Sequence, residues 1–97
     1  MEALDEQTAA EIAELFRALG DSTRIRIISA LTGGEKSVGE LAELSGSSES
    51  TTSHHLRHLR QLRLVQTRRE GRFVFYSLDD DHVATVFHCG LEHVQHG

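Results

Sequence analysis

"STTSHHLRHLRQLRLVQTRREGRFVFYSL", residues 50–78, decides the fold. Its first half has helical spacing with two unlike faces. Thr52, Leu56 and Leu59 fall on one side and belong in a core. Ser50, Ser53, His54, Arg57 and Gln61 fall within roughly 100° on the other side, at 3.6 residues per turn. Short hydroxyls, then an imidazole, then a guanidinium and an amide can donate to phosphates and base edges. An ordinary wet helix face carries Lys–Glu pairs, and this face has neither residue. The second half, "LVQTRREGRFVFYSL", reads as two β-strands around Glu70-Gly71, rich in β-branched and aromatic residues. Arg68, Arg69 and Arg72 cluster at its tip.

Upstream, Ile12, Leu15, Phe16 and Leu19 follow the i, i+3, i+4, i+7 rule of an amphipathic helix, with "TAAE" as its capping box and Gly20 as its stop. Asp21 caps a second helix bearing Ile25, Ile28 and Leu31, ended by Gly33-Gly34. "SVGE" at 37–40 is another capping box, opening a short helix through Leu41 and Leu44 to Gly46. The long helix starts near "SSES" and runs to about Leu62. Helix, short helix, long helix and basic hairpin follow one another in the order of a winged helix-turn-helix. The expected fold class is therefore mainly α with a small β-hairpin, the long helix entering the major groove and the hairpin touching flanking backbone.

The 97 residues make one domain, 1–97, small enough that oligomerisation would help cover its apolar surface. Its apolar runs are too short to span a bilayer, and a basic targeting leader is missing, so no membrane partner is expected. A single cysteine, Cys89, cannot close an intrachain disulfide and suits a reducing cytoplasm. Net charge is −5, but residues 50–78 hold six arginines against one acid, which leaves −10 on the remainder. A basic segment on an acidic body can still bind a polyanion, because phosphate attraction is local and screened within about 10 Å.

The tail "DDDHVATVFHCGLEHVQHG", residues 79–97, holds four of the seven histidines. On a final helix starting near Asp79, His82, His93 and His96 share one face. His82 and His93 are nevertheless about 16 Å apart along the axis, and no ion with bonds of about 2.0 Å bridges them within one helix. An antiparallel copy of the helix resolves this. It places Asp80 and His82 of one chain beside His93 and His96 of another, giving two equivalent sites of three imidazoles and one carboxylate per homodimer. Four N/O ligands without a thiolate suit Zn2+ first, with Co2+ or Ni2+ as alternatives. A zinc hydrolase is disfavoured, because four protein ligands leave no open position and no general base adjoins them, so no enzyme activity is expected. Cys89 reads as a small buried interface residue, and His55 as a packing or surface histidine. His54 and His58 have metal spacing but no acidic partner.

Three segments together, "LGDSTRIRI", "STTSHHLRHLRQLRLV" and "RREGRFVFYSL", resemble the ArsR/SmtB metal-sensing transcriptional repressors over nearly the whole chain. That resemblance implies a cytoplasmic homodimer, joined through its terminal helices, that binds double-stranded operator DNA and is released by metal. It implies DNA contacts from Ser50, Ser53 and His54, with Glu49 at the groove edge, and wing contacts among Arg68, Arg69 and Arg72; Arg57 is added from the helical face. The D-x-H…H-x-x-H pattern of Asp80, His82, His93 and His96 is similar to the site of the zinc- and cobalt-responsive members. Two departures stand out. Ser22 occupies a position where many members have Pro, and "EKSVGEL" has Ser37 and Gly39 where thiolate-type members have cysteines. Nickel/cobalt-responsive members add ligands from the chain termini, and "MEALDEQ" offers no histidine there. The alternatives left open are a nickel/cobalt-responsive repressor of the same fold and a zinc-buffering protein without an operator.

Overall fold

The computed structural model describes residues 3–96. Five helices and three strands follow in order: α1 Glu6–Leu19, α2 Ser22–Leu31, β1 Lys36–Ser37, α3 Val38–Ser45, α4 Glu49–Gln61, β2 Val65–Glu70, β3 Phe73–Leu78 and α5 Asp81–His96. Each of the first four helices starts where a short polar side chain accepts an otherwise orphaned amide. Asp21 accepts from the Arg24 amide at 3.0 Å and Ser48 from the Thr51 amide at 3.1 Å. Ser37 and Glu40 form the reciprocal capping box expected of "SVGE". The box expected at "TAAE" does not form. Asp5 takes the Thr8 amide at 2.7 Å, so α1 begins before Thr8 and that box lies inside the helix. An aspartate one turn earlier captures the same amide that a Thr8-capped start would leave unused.

The core is one cluster of Ala18, Ile27, Ile28, Leu31, Leu41, Leu56, Leu59, Leu64, Val65 and Val83, drawn from all five helices and β2. Thr52, Leu56 and Leu59 are fully buried, as the face of α4 requires. Other apolar positions stay bare. Ile12 and Phe16 of α1 are 40% and 55% exposed, and Val86, Leu91 and Val94 of α5 line up with them in being uncovered. Leu44 is also exposed.

The hairpin pairs Val65 with Leu78 through to Glu70 with Phe73, so the turn is Gly71-Arg72, one residue beyond the expected Glu70-Gly71. Gly71 sits at φ 62, the left-handed region that a tight hairpin turn needs. A third strand, β1, pairs its Lys36 with Tyr76 and makes the order β1-β3-β2. Two residues carry no periodicity, so this strand has no signature in the sequence.

The end of α4 is unusual in composition. Leu64 N–H donates to Leu59 O at 2.9 Å and Arg63 N–H to Arg60 O at 3.0 Å, the paired bonds of a Schellman turn. The left-handed position of that turn is normally glycine, yet here it is Arg63, at φ 61. It holds because Leu59 and Leu64, the apolar pair of the motif, are both in the core. Arg63→Gly is therefore expected to stabilise the fold by about 0.5–1 kcal/mol, the left-handed cost less the entropy of an added glycine. Urea midpoints at matched protein concentration check this, and a lower midpoint for the variant contradicts it.

Candidate nucleic-acid interface and metal ligands

α3 and α4 meet at Gly46, left-handed at φ 74, followed by Ser47 and the capping Ser48. This tight corner turns α4 so that its buried stripe faces α2 and α3 while its other side is bare. Ser50, His54, Arg57 and Gln61 are exposed and Ser53 is half-buried, so the five polar residues read from the sequence share one open face. Glu49, at the first turn, is exposed beside them.

The wing divides its three arginines into two kinds. Arg68 donates to Glu35 at 2.6 and 3.1 Å and to Glu70 at 2.8 Å, and its guanidinium stacks on Phe75 at 5.0 Å. Glu35 precedes β1, so the pair straps the loop before that strand to the hairpin. The hydrogen bond from Arg68 holds the Glu35 carboxyl below its ordinary range, and the bonds to Glu35 and Glu70 push the Arg68 pKa up. Two carboxylates around one guanidinium leave that spot net negative. Arg69 and Arg72 are exposed at the tip. Among the described residues, no carboxylate lies within ion-pair distance of Arg57, Arg69 or Arg72. Sequence reading grouped Arg68 with the other two because Glu35 is 33 residues away.

The histidine-rich tail forms one continuous helix. Asp80 precedes it and accepts from the His82 amide at 2.8 Å, with its Oδ1 also 3.3 Å from His82 Nδ1. Desolvation acts to raise the Asp80 pKa, but the His82 side chain and amide outweigh it and hold the carboxyl below its ordinary value. An anionic carboxylate beside an imidazole is a ready pair of hard and borderline donors. Sixteen residues of unbroken helix keep this pair about 16 Å from His93, so the two ends cannot share an ion within one chain. His93 and His96 lie beside Cys89 and Glu92 along a shallow groove. Cys89 is exposed in the single chain. No three metal-ligating side chains converge among the described residues of one chain.

Asp80 and His82 have a neighbour that the sequence did not predict. They line a hollow together with Leu62, Arg63 and Leu64, the turn that ends α4. The Asp79 amide, just before them, donates to Leu64 O at 3.1 Å. One pair of candidate ligands thus shares a hollow with the turn that ends the helix carrying the polar face.

Residues 21–67, which hold α2 through the start of β2, match the family described as "Bacterial regulatory protein, arsR family". A cadmium resistance transcriptional regulatory protein, the CadC homolog of Staphylococcus aureus, is 44% identical over 91 residues, covering 93% of this chain and 75% of that protein. The chain belongs to the ArsR family. The transcriptional repressor SmtB homolog of Synechocystis is 45% identical over 87 residues, 90% of this chain, though these span just under two thirds, 66%, of that protein's length. The homodimeric winged helix-turn-helix DNA-binding domain from Mycobacterium bovis superposes with a TM-score of 0.81 at 28% identity, covering 98% of this chain and 91% of that one. The three-stranded sheet and the α3–α4 corner described above are that fold. These are transcription regulators of a metal-responsive family, not enzymes, and no described helix is long and apolar enough to cross a membrane.

The split among the wing arginines has a measurable consequence. Arg72→Ala is expected to lower the salt slope of DNA affinity by about one unit, the effect of one lost phosphate contact. Arg68→Ala should lower it less, because its charge is already matched. Equal losses for both variants, measured by anisotropy across a salt series, contradict the division.

Proposed function

We propose that this protein is a metal-responsive repressor that binds operator DNA as a homodimer and is released when Zn2+, or Co2+ in its place, binds between subunits. In this reading α4 enters the major groove with Ser50, Ser53, His54 and Arg57 toward the bases and phosphates, and Arg69 and Arg72 meet flanking backbone. Arg68 belongs to the wing mainly as the strut that fixes its angle. The protein works in the cytoplasm, where its DNA is.

The observation that carries the metal assignment is the pairing of ligands at opposite ends of α5. Asp80–His82 and His93–His96 each present two donors, and each is half of a tetrahedral set. The donor chemistry fits zinc: imidazole nitrogens and one anionic carboxylate, with no cysteine in α3. Two chains with antiparallel α5 helices complete two sites. The bare apolar side chains of α1 and α5 favour the same arrangement, since Ile12, Phe16, Val86, Leu91 and Val94 need a cover that one chain does not provide. When bound, the ion supplies a cross-link between the subunits.

A route for coupling to DNA starts from what lies beside the ligand pair. Asp80 and His82 share a hollow with Arg63, and the neighbouring Asp79 amide donates to Leu64 O, so in this reading the backbone at Asp79 links the ligands to the C-terminus of α4. Linkage then requires metal and DNA to weaken each other's binding by the same factor.

Ser53→Ala and His54→Ala are expected to weaken operator binding by about 1–3 kcal/mol per lost base contact while leaving zinc affinity nearly unchanged. Unchanged operator affinity in both variants would place the reading face elsewhere.

The shared site is tested by complementation. One variant carries Asp80→Ala and His82→Ala, the other His93→Ala and His96→Ala. Each homodimer is expected to lose tight zinc binding, since every site lacks half its ligands. In the isolated heterodimer one site collects both defects and the other recovers all four ligands, so one tight zinc per heterodimer should return. A heterodimer with no restored site refutes ligand sharing between chains.

A further inference from the structure

Outside both sites, three elements meet at the side chain of Arg24. Arg24, on α2, directs its Nε to His55 Nδ1 at 3.0 Å and its Nη2 to His58 Nδ1 at 2.8 Å, while Nη1 reaches the carbonyl of Ala18 in α1 at 3.4 Å. His55 and His58 are on α4, between its buried stripe and its open face, and both are half-buried. A guanidinium has donors only. Both Nδ1 atoms must therefore be bare acceptors, and both rings must be neutral and protonated at Nε2. A proton added at either Nδ1 would face an N–H with an N–H.

We propose that Arg24 is the positioning residue of the DNA-reading helix, clamping α4 to the α1–α2 corner only while His55 and His58 are neutral, so that operator affinity falls with acidity independently of metal. The proposal rests on the operator reading above but not on the metal site, which lies on another helix.

The charged surroundings of the clamp are asymmetric. From the start of α2, Asp21 places Oδ2 4.0 Å from His55 Nε2, the one carboxylate facing the cluster among the described residues. Arg24 itself, His54 and His58 supply the remaining charged or titratable groups around His55, and α1 presents the Ala18 carbonyl. Burial is the largest influence on His55 and pushes its pKa down; Asp21 opposes this, while Arg24, His54 and His58 add to it. The sign follows directly. Released from the clamp, the His55 imidazole takes up a proton near the ordinary value of about 6.5, before the clamped ring does. The clamp is thus intact above that pH and weakens as pH falls through it. Two pH units, from 7.5 to 5.5, then lower operator affinity by up to about tenfold through His55, the ratio of protonated to neutral form that a free ring reaches there.

Two measurements test this. In metal-free protein with chelator, imidazole nitrogen shifts by NMR are expected to show His55 and His58 as Nε2–H tautomers with bare Nδ1 at pH 7.5. An Nδ1–H tautomer at either ring, or a ring that is cationic at that pH, overturns the clamp, whatever happens with DNA. Operator affinity is then followed from pH 7.5 to 5.5 at fixed salt for the wild type and for His55→Asn/His58→Asn, in which an amide oxygen near the Nδ1 position still accepts but cannot titrate. His54 and the tail histidines are common to both proteins and cancel in the comparison. The wild type is expected to lose affinity on acidification more steeply than the variant. Equal pH profiles overturn the proposal. Should the variant fail to fold, the tautomers of the wild type decide alone. A wild type with the expected tautomers that binds no operator at any pH refutes the operator reading and leaves the clamp itself standing.

Discussion

Much of this structure depends on a single backbone turn, the left-handed step at Arg63. It ends α4 one residue before the core residue Leu64, sets β2 off toward the wing, and leaves the Leu64 carbonyl free to accept from Asp79 at the threshold of α5. Helix, wing and tail helix thus branch from three consecutive residues. A non-glycine residue there stores a local cost of about 1–2 kcal/mol. The burial of Leu59 and Leu64 offsets that cost. Such a junction transmits displacement well, because its neighbours are packed and cannot deform independently. The candidate ligands Asp80 and His82 line a hollow with it.

Charge is arranged by the same economy of contacts. The chain is acidic overall, yet the exposed faces of α4 and the wing tip carry arginines that have no carboxylate partner among the described residues. Where a wing arginine does have partners, at Arg68, they serve the hairpin: Glu35 ties the loop before β1 to β2, and Phe75 supports the guanidinium from below. The unpaired arginines give that face a positive field on an otherwise acidic molecule.

Local signals made much of this readable in advance. Caps at Asp21, Ser37 and Ser48, the glycine at 46, and the stripe of Thr52, Leu56 and Leu59 are decided within a few residues, so the helix-turn-helix and hairpin could be drawn from sequence. What escaped was long-range. The strand β1 exists only because Tyr76 and Phe75 pair with it. Arg24 finds His55 and His58 across 31 and 34 residues, and Arg68 finds Glu35 across 33. The stripe of α1 shows the remaining ambiguity: periodicity says that Ile12 and Phe16 want covering but not by what, and a single chain leaves them bare. The candidate ligands were legible as two pairs for a simpler reason, since helical rise alone separates them.

The sheet order β1-β3-β2 leaves β2 on the outside, with one of its long edges unpaired. A row of free amides and carbonyls is a template for another strand, and such edges are where chains stick to one another out of register. "VQTRRE" answers that hazard with consecutive arginines and a glutamate along the exposed edge. Bringing a second such edge alongside would stack like charges and strip water from them. The arginines of the wing therefore act as gatekeepers of solubility as well as carriers of positive charge. Replacing them with apolar residues would open a route to strand-mediated aggregation, even in a molecule whose helices and core were untouched.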